Sequence, residues 1–239
     1  MKIIARVETG FPCKFGVPRQ SGLVESLTGR IIFEKEYRNP LALRGLEGFS
    51  HIWVLWQFSE HKAHSWSPLV KPPRLGGNKK MGVFATRSPF RPNPIGLSCV
   101  RLERIELEGD NAPLLYVSGV DFVDQTPIYD IKPYLPYTDS YPQASAGFAE
   151  EVYDDSLIVE IPEQWLQCIP VSQRQAVKDL LAQDPRPHYQ QEAQRIYGVA
   201  YAGMDIRFTV DKQVLRVCEI AEYSKVRQKY EVKYLKKQD

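Results

Sequence analysis

Histidine and cysteine are both scarce in this chain, with four of each in 239 residues. Cys13, Cys99, Cys168 and Cys218 stand far apart, form no Cys-x-x-Cys pair and sit among apolar neighbours. That spacing excludes a disulfide framework and a zinc ribbon, and predicts reduced thiols in a cytoplasmic protein. His61 and His64 fall three positions apart just past an apolar run, but no third ligand type follows at a suitable spacing, so no metal site is expected. No run approaches the length of a membrane span, and no leader pattern of charged, apolar and small residues is present, so no membrane partner is expected. Also missing are the Gly-x-Gly-x-x-Gly, Walker lysine, His-Glu-x-x-His and Gly-x-Ser-x-Gly motifs, which removes the usual support for Rossmann, P-loop, zincin and α/β-hydrolase folds. Net charge is small as well, with 31 basic residues against 29 acidic, so any attraction to a polyanion must come from a local patch.

Such a patch exists. From Lys71 to Arg101 there are seven basic residues (Lys71, Arg74, Lys79, Lys80, Arg87, Arg91, Arg101) and no Asp or Glu. Inside it lies MGVFATRSPFRPNPIGLS, residues 81–98, around which the chain is organised. Met81 to Ala85 reads as a buried strand. Pro89, Pro92 and Pro94 then force Arg87, Phe90, Arg91 and Asn93 into extended or turn geometry with little freedom left to lose on binding. A stiff loop carrying guanidinium groups suits an anionic ligand, and Gly96 permits close backbone approach. The basic side chains Lys71, Arg74, Lys79, Lys80 and Arg91 are the expected contacts to a nucleic-acid backbone.

Along the rest of the chain, Ile3 to Val7 reads as a first strand, followed by a polar loop whose Pro18, Arg19, Gln20 and Ser21 could contact a ligand or merely connect. Thr28 to Phe33 and Phe49 to Phe58 are strand-like, the second so apolar that burial on both faces or a place in a barrel is expected. Between them, Asn39 and Pro40 predict one capped helical turn. Leu97 to Glu108 and Leu114 to Val120 predict an antiparallel pair. Asp121, Asp124, Asp130 and Asp139 then punctuate what reads as an irregular acidic loop, able to hold a ribose or a cation or simply to cap turns. A boundary is expected near Ala144 to Ala149. Beyond it, Ser172 and Gln175 form a capping-box pattern before a helix with an Ala176, Val177, Leu180, Leu181 stripe, and Gly198 to Tyr223 alternates as two or three strands. Residues 225–239 carry six basic residues against two acidic ones, with Tyr230 and Tyr234 among them, which suits RNA or a solvated tail. Residues 1–145 therefore read as a mainly β domain built on a closed or nearly closed sheet, and residues 150–239 as a small α+β domain.

The stretches FGVPRQSGLV, GLEGFSHIWVLWQF, GVFATRSPFRPNPIGLS and DQTPIYDIKPYLPY together resemble the TsaA/TrmO family of S-adenosylmethionine-dependent tRNA (adenine-N6) methyltransferases. The resemblance covers residues 1 to about 145, with the remainder similar to the small domain that family appends. It implies a single-sheeted β-barrel methyltransferase acting as a homodimer on N6 of threonylcarbamoyl-adenosine beside the anticodon of threonine tRNAs. It also implies a cofactor pocket made from Pro18, Arg19, Gln20, His61, Lys62, Arg87, Leu97, Thr126, Pro127, Ile128, Tyr129 and Asp130. No strong base is required if the enzyme mainly aligns the reacting atoms, although Tyr137 and Asp139 are candidates for assisting proton loss. One departure stands out: Gln125 occupies a position where the family often has glycine, so a left-handed backbone there would be strained. A non-catalytic RNA- or nucleotide-binding barrel is the competing reading.

Overall fold

In the computed structural model, residues 1–60, 66–72, 79–152, 156–186 and 195–223 are described, the side chains of residues 151 and 152 excepted. Six strands close into a barrel: β1 (Ala5–Thr9), β2 (Thr28–Phe33), β3 (His51–Gln57), β6 (Ile95–Glu106), β7 (Leu114–Ser118) and β8 (Thr126–Pro133). Around the wall they run β1, β2, β7, β6, β3, β8, and β8 returns to β1 through Arg6 opposite Pro127. All neighbours are antiparallel. The interior is filled by the inward set of each strand, including Val7, Ile31, Ile52, Val54, Val100, Leu115, Val117 and Ile128, all at most 1% exposed. Closure leaves no unpaired edge and fixes register, because a one-residue slip would turn this set outward.

Two sequence expectations change here, and of the two places offered for the apolar run Phe49 to Phe58 the structure takes the barrel. β3 alternates, with Ile52, Val54 and Trp56 inward and the residues between them half-exposed, so it is a wall strand buried on one face only. Met81 to Ala85 is not a buried strand. Met81–Gly82 forms β5, a short ribbon with β4 (Leu69–Val70), and the chain then coils through a 3-10 turn at Val83–Ala85 with Phe84 exposed. The acidic loop contains the eight-residue strand β8, in which Asp130 pairs with Leu55 across the wall. Asn39 does cap the turn at Pro40–Leu43, its side-chain oxygen accepting from the Leu41 amide at 3.0 Å.

The C-terminal region builds a second sheet in the order β10 (Tyr197–Tyr201), β11 (Met204–Asp211), β12 (Val214–Glu222), β9 (Ile158–Glu160), with β9 parallel to β12. After the short α1 (Pro136–Asp139) and α2 (Glu163–Leu166), α3 (Arg174–Ala182) buries the expected stripe of Ala176, Val177, Leu180 and Leu181. The capping box does not form. A 3-10 turn at Val171–Gln173 leads into α3, and Gln175 bonds to Asp179 one turn on. This sheet and α3 pack on the barrel: Phe11 meets Tyr201 with ring centroids 4.9 Å apart, Ala202 donates its amide to the Gly10 carbonyl at 2.8 Å, and Ser26 donates to Asp179 of α3 at 2.7 Å. The basic tail from residue 225 lies outside the described residues.

Candidate active site

At one mouth of the barrel is a cleft of about 660 Å³, within the usual range for small-molecule sites. Four parts of the sequence meet there: the loop Lys14 to Ser21, β3 with the residues that follow it to Glu60, the start of β6 with the proline loop before it, and the turn into β8. The first loop is tied down at both ends. The Lys14 amide donates to Glu60 at 3.1 Å, the Gly22 amide to the Gly119 carbonyl at 2.9 Å, and Ser21 accepts from the Cys99 amide at 3.1 Å.

Arg87 reaches across from the proline loop and donates to the side-chain oxygen of Gln20. That partner is neutral, so the guanidinium keeps its charge available to an anion. Arg91 is used differently. It donates to the Thr86 carbonyl at 2.6 Å and to the Val83 carbonyl at 3.3 Å, which clamps its own loop.

The floor of the cleft is polar in a way the sequence did not disclose. The Trp56 indole donates to Ser98 at 2.9 Å, and Ser98 donates to Asp121 at 2.7 Å. Trp56 can lie flat there only because residue 96 is glycine: a Cβ on Gly96 would sit 2.2 Å from the ring. Burial pushes the Asp121 carboxyl up to about 6, against the opposing pull of the Ser98 hydroxyl, the backbone amides of Asp121 and Ser21, and the Arg87 charge. A carboxylate so placed can hold or release a proton near neutral pH. Sequence reading passed over it because it is one of four similar acids. The signal that was available is Ser98, a polar residue at an inward position between Gly96 and Val100, which needs a buried partner.

Of the expected cofactor residues, Pro18, Arg19, Gln20, Arg87, Leu97 and Thr126 line the cleft, as does Arg91. Pro127, Ile128, Tyr129 and Asp130 do not. Ile128 is buried in the barrel, Tyr129 donates to Gln57 at 2.5 Å, and Asp130 pairs with Lys132 at 2.9 Å. Asp139 accepts from the Trp53 indole at 2.8 Å and the Leu135 amide at 2.9 Å, and these bonds hold its carboxyl below the ordinary range. Tyr137 is 85% exposed and outside the cleft lining. Lys71, Lys79 and Lys80 are exposed beside the β4–β5 ribbon, while His61, Lys62, His64 and Arg74 lie outside the described residues. At Gln125 the backbone is left-handed, with φ of 60°, so the strain expected there is present. The four cysteines are free thiols, Cys168 and Cys218 exposed.

Comparison with known proteins assigns the family. Residues 6–140 match the family model described as the tRNA-methyltransferase O N-terminal domain, and residues 156–223 match the TrmO C-terminal domain. The chain belongs to the tRNA-methyltransferase O family. Among its relatives, a tRNA (adenine(37)-N6)-methyltransferase of Escherichia coli K12 is 41% identical over 87% of this chain and 91% of its own length. A Pseudomonas aeruginosa protein named as a putative S-adenosylmethionine-dependent methyltransferase is 40% identical over 91% of this chain and 96% of its own. The crystal structure of TrmO from Pseudomonas aeruginosa superimposes with a TM-score of 0.72 at 32% identity, covering 92% of this chain and 97% of that one. Both the barrel and the appended sheet are therefore features of the family, and the cleft lies entirely within the stretch matched by its N-terminal domain.

Proposed function

We propose that this protein methylates N6 of an adenine in tRNA, using S-adenosylmethionine, with the barrel of residues 1–145 as the catalytic unit and residues 150–239 as its support. The observation that carries this reading is the cleft itself: a cationic group on a neutral partner, an apolar flank and a half-buried acid, all at one barrel mouth in a chain of this family. The residues fit the cofactor. Arg87 is placed for its carboxylate, and Val17, Phe58 and Leu97 offer an apolar flank for its adenine. When bound, the cofactor supplies an electrophilic methyl group on a positively charged sulfur. Asp121, at the floor, answers positive charge there and is basic enough to accept the proton that N6 must lose. That assigns to Asp121 the proton-accepting role for which the sequence had offered Tyr137 and Asp139.

The family resemblance extends the proposal to threonylcarbamoyl-adenosine in threonine tRNAs, a homodimer and a cytoplasmic setting. Among the described residues no helix is long and apolar enough to cross a membrane. The test is transfer of labelled methyl from S-adenosylmethionine to purified tRNA, read by nucleoside analysis and paired with a thermal-shift titration of the cofactor. N6-methylated adenosine and a cofactor-dependent rise in Tm are expected. RNA binding with neither effect would overturn the proposal and leave the non-catalytic barrel.

A further inference from the structure

The proline loop exposes more aromatic surface than a solvated connection needs. Phe84 is 73% exposed and Trp66 50%, yet the two rings stack on each other with centroids 6.5 Å apart and planes 21° from parallel. Neither lines the cleft. The pair is held firmly from beneath: the Val83 amide donates to the Pro68 carbonyl at 3.0 Å and the Ser67 amide to the Phe90 carbonyl at 3.3 Å, which binds the Trp66 segment to the loop that carries Phe84. Arg91 lies 5.8 Å from the centre of the Phe84 ring while clamping the carbonyls of Val83 and Thr86. Large rings left in water and braced in one orientation mark a binding surface.

The chemistry of the partner follows from what surrounds the rings. Lys71, Lys79 and Lys80 are exposed on the same ribbon and the flanks of its loop, and no acid occurs between residues 71 and 101. A second copy of this chain would set the same basic patch against itself across a two-fold axis, which like charge disfavours. Flat rings with lysines around them instead match single-stranded nucleic acid, whose bases stack and whose phosphates are neutralised. The position is also suitable, because Thr86, Arg87, Pro89 and Arg91 of this loop line the cleft. We infer that Trp66 and Phe84 form a stacking platform for unpaired bases of the RNA substrate beside the base being methylated, with Lys79 and Lys80 on the flanking phosphates. This rests on the reading that RNA is the methyl acceptor.

Aromatic and charged contacts respond differently to salt, and that separates the platform from a merely basic surface. In the full-length protein, binding of a fluorescent anticodon stem-loop RNA is measured across a salt series. Trp66→Ala and Phe84→Ala each weaken it about tenfold with the salt slope unchanged, whereas Phe84→Tyr binds as wild type does. Lys79→Ala with Lys80→Ala flattens the log–log slope by about 0.7 for each lost phosphate contact. Cofactor affinity, read by calorimetry, stays at the wild-type value in all of them and also reports that each is folded. Wild-type RNA affinity in both alanine variants overturns the platform while leaving methyl transfer by the wild type to stand. A change in sedimentation mass in those variants overturns it in favour of a contact between copies. If the wild type neither binds nor methylates tRNA, this inference and the functional proposal fall together.

Discussion

The barrel mouth and the C-terminal sheet treat charge in opposite ways. In the sheet region three arginines meet acids: Arg186 grips Asp184 through two bonds of 2.8 and 2.9 Å, Arg207 lies between Asp205 and Glu219 at 3.0 and 2.7 Å, and Arg216 holds Glu160 at 2.7 Å. Even its buried Tyr201, pushed up to about 12 by desolvation, stays neutral and donates to Gln173. At the barrel mouth, Arg87 bonds to an amide and Asp121 to a hydroxyl, so neither charge is cancelled by its hydrogen bond. In these contacts one region is electrostatically complete and the other is poised for something that brings charge of its own.

Yet the complete region shapes the incomplete one. Among the described residues it contributes nothing to the cleft lining, but Val199 fills the space beside Gly16, on the loop that carries Arg19 and Gln20. Gly16 has φ of 91°, and a Cβ there would come 2.0 Å from Val199. Gly16→Ala breaks this seating and should have the largest effect. Backbone strain and overpacking together cost about 3 kcal/mol, read as a lower Tm, and cofactor affinity falls with it. Unchanged values in both measurements would mean that the two regions are independent.

Asp121→Asn sharpens the contrast from the other side. Because burial raises the carboxyl to about 6 from an ordinary value of 3.8, the unfolded chain sheds this proton at lower pH than the folded one. Stability therefore falls as pH rises from about 4 to 6, and at neutral pH ionised Asp121 costs about 3 kcal/mol before its partial exposure to solvent is allowed for and about 2 kcal/mol after. The amide removes that cost: the variant gains about 2 kcal/mol at pH 7, gains nothing below pH 4, and loses methyl transfer. Denaturation at both pH values, with turnover measured beside it, checks all three expectations. An equal gain at both would deny that ionisation is the cause. The smallest effect belongs to Gln125→Gly, which relieves a left-handed side chain at the edge of the same mouth. A stabilisation of about 0.5–1 kcal/mol is expected by chemical denaturation, with the Arg6 bond to the residue 125 carbonyl retained.

Much of this could be read in the sequence, and the failures share a cause. The wall strands as strands, the proline loop and the α3 stripe are local patterns, and the structure keeps them. What misled was composition without geometry. Five apolar residues from Met81 read as buried strand, although the chain turns at Val83 and exposes Phe84. Asp130 looked like a loop acid of the same standing as Asp121, although β8 places it outside beside Lys132. Asp121 acquires its character from Ser98, 23 positions away, and from the Ser21 backbone, a hundred positions away. No local window contains that environment.

The seam of the barrel also has a consequence in time. Arg6 must meet Pro127 before the wall is closed, so every strand of the barrel has left the ribosome before the first can be locked in place. Contacts of such sequence separation form late and slowly, whereas the β10–β11–β12 hairpins need only near neighbours. The stretch from Gly10 to Gly22 waits longer still, since its bonds to Gly119, Tyr201 and Ala202 come from both units. The cleft is thus expected to be the last part of the molecule to mature, and a nascent chain to gain a fully seated cleft loop only when its downstream sheet has docked.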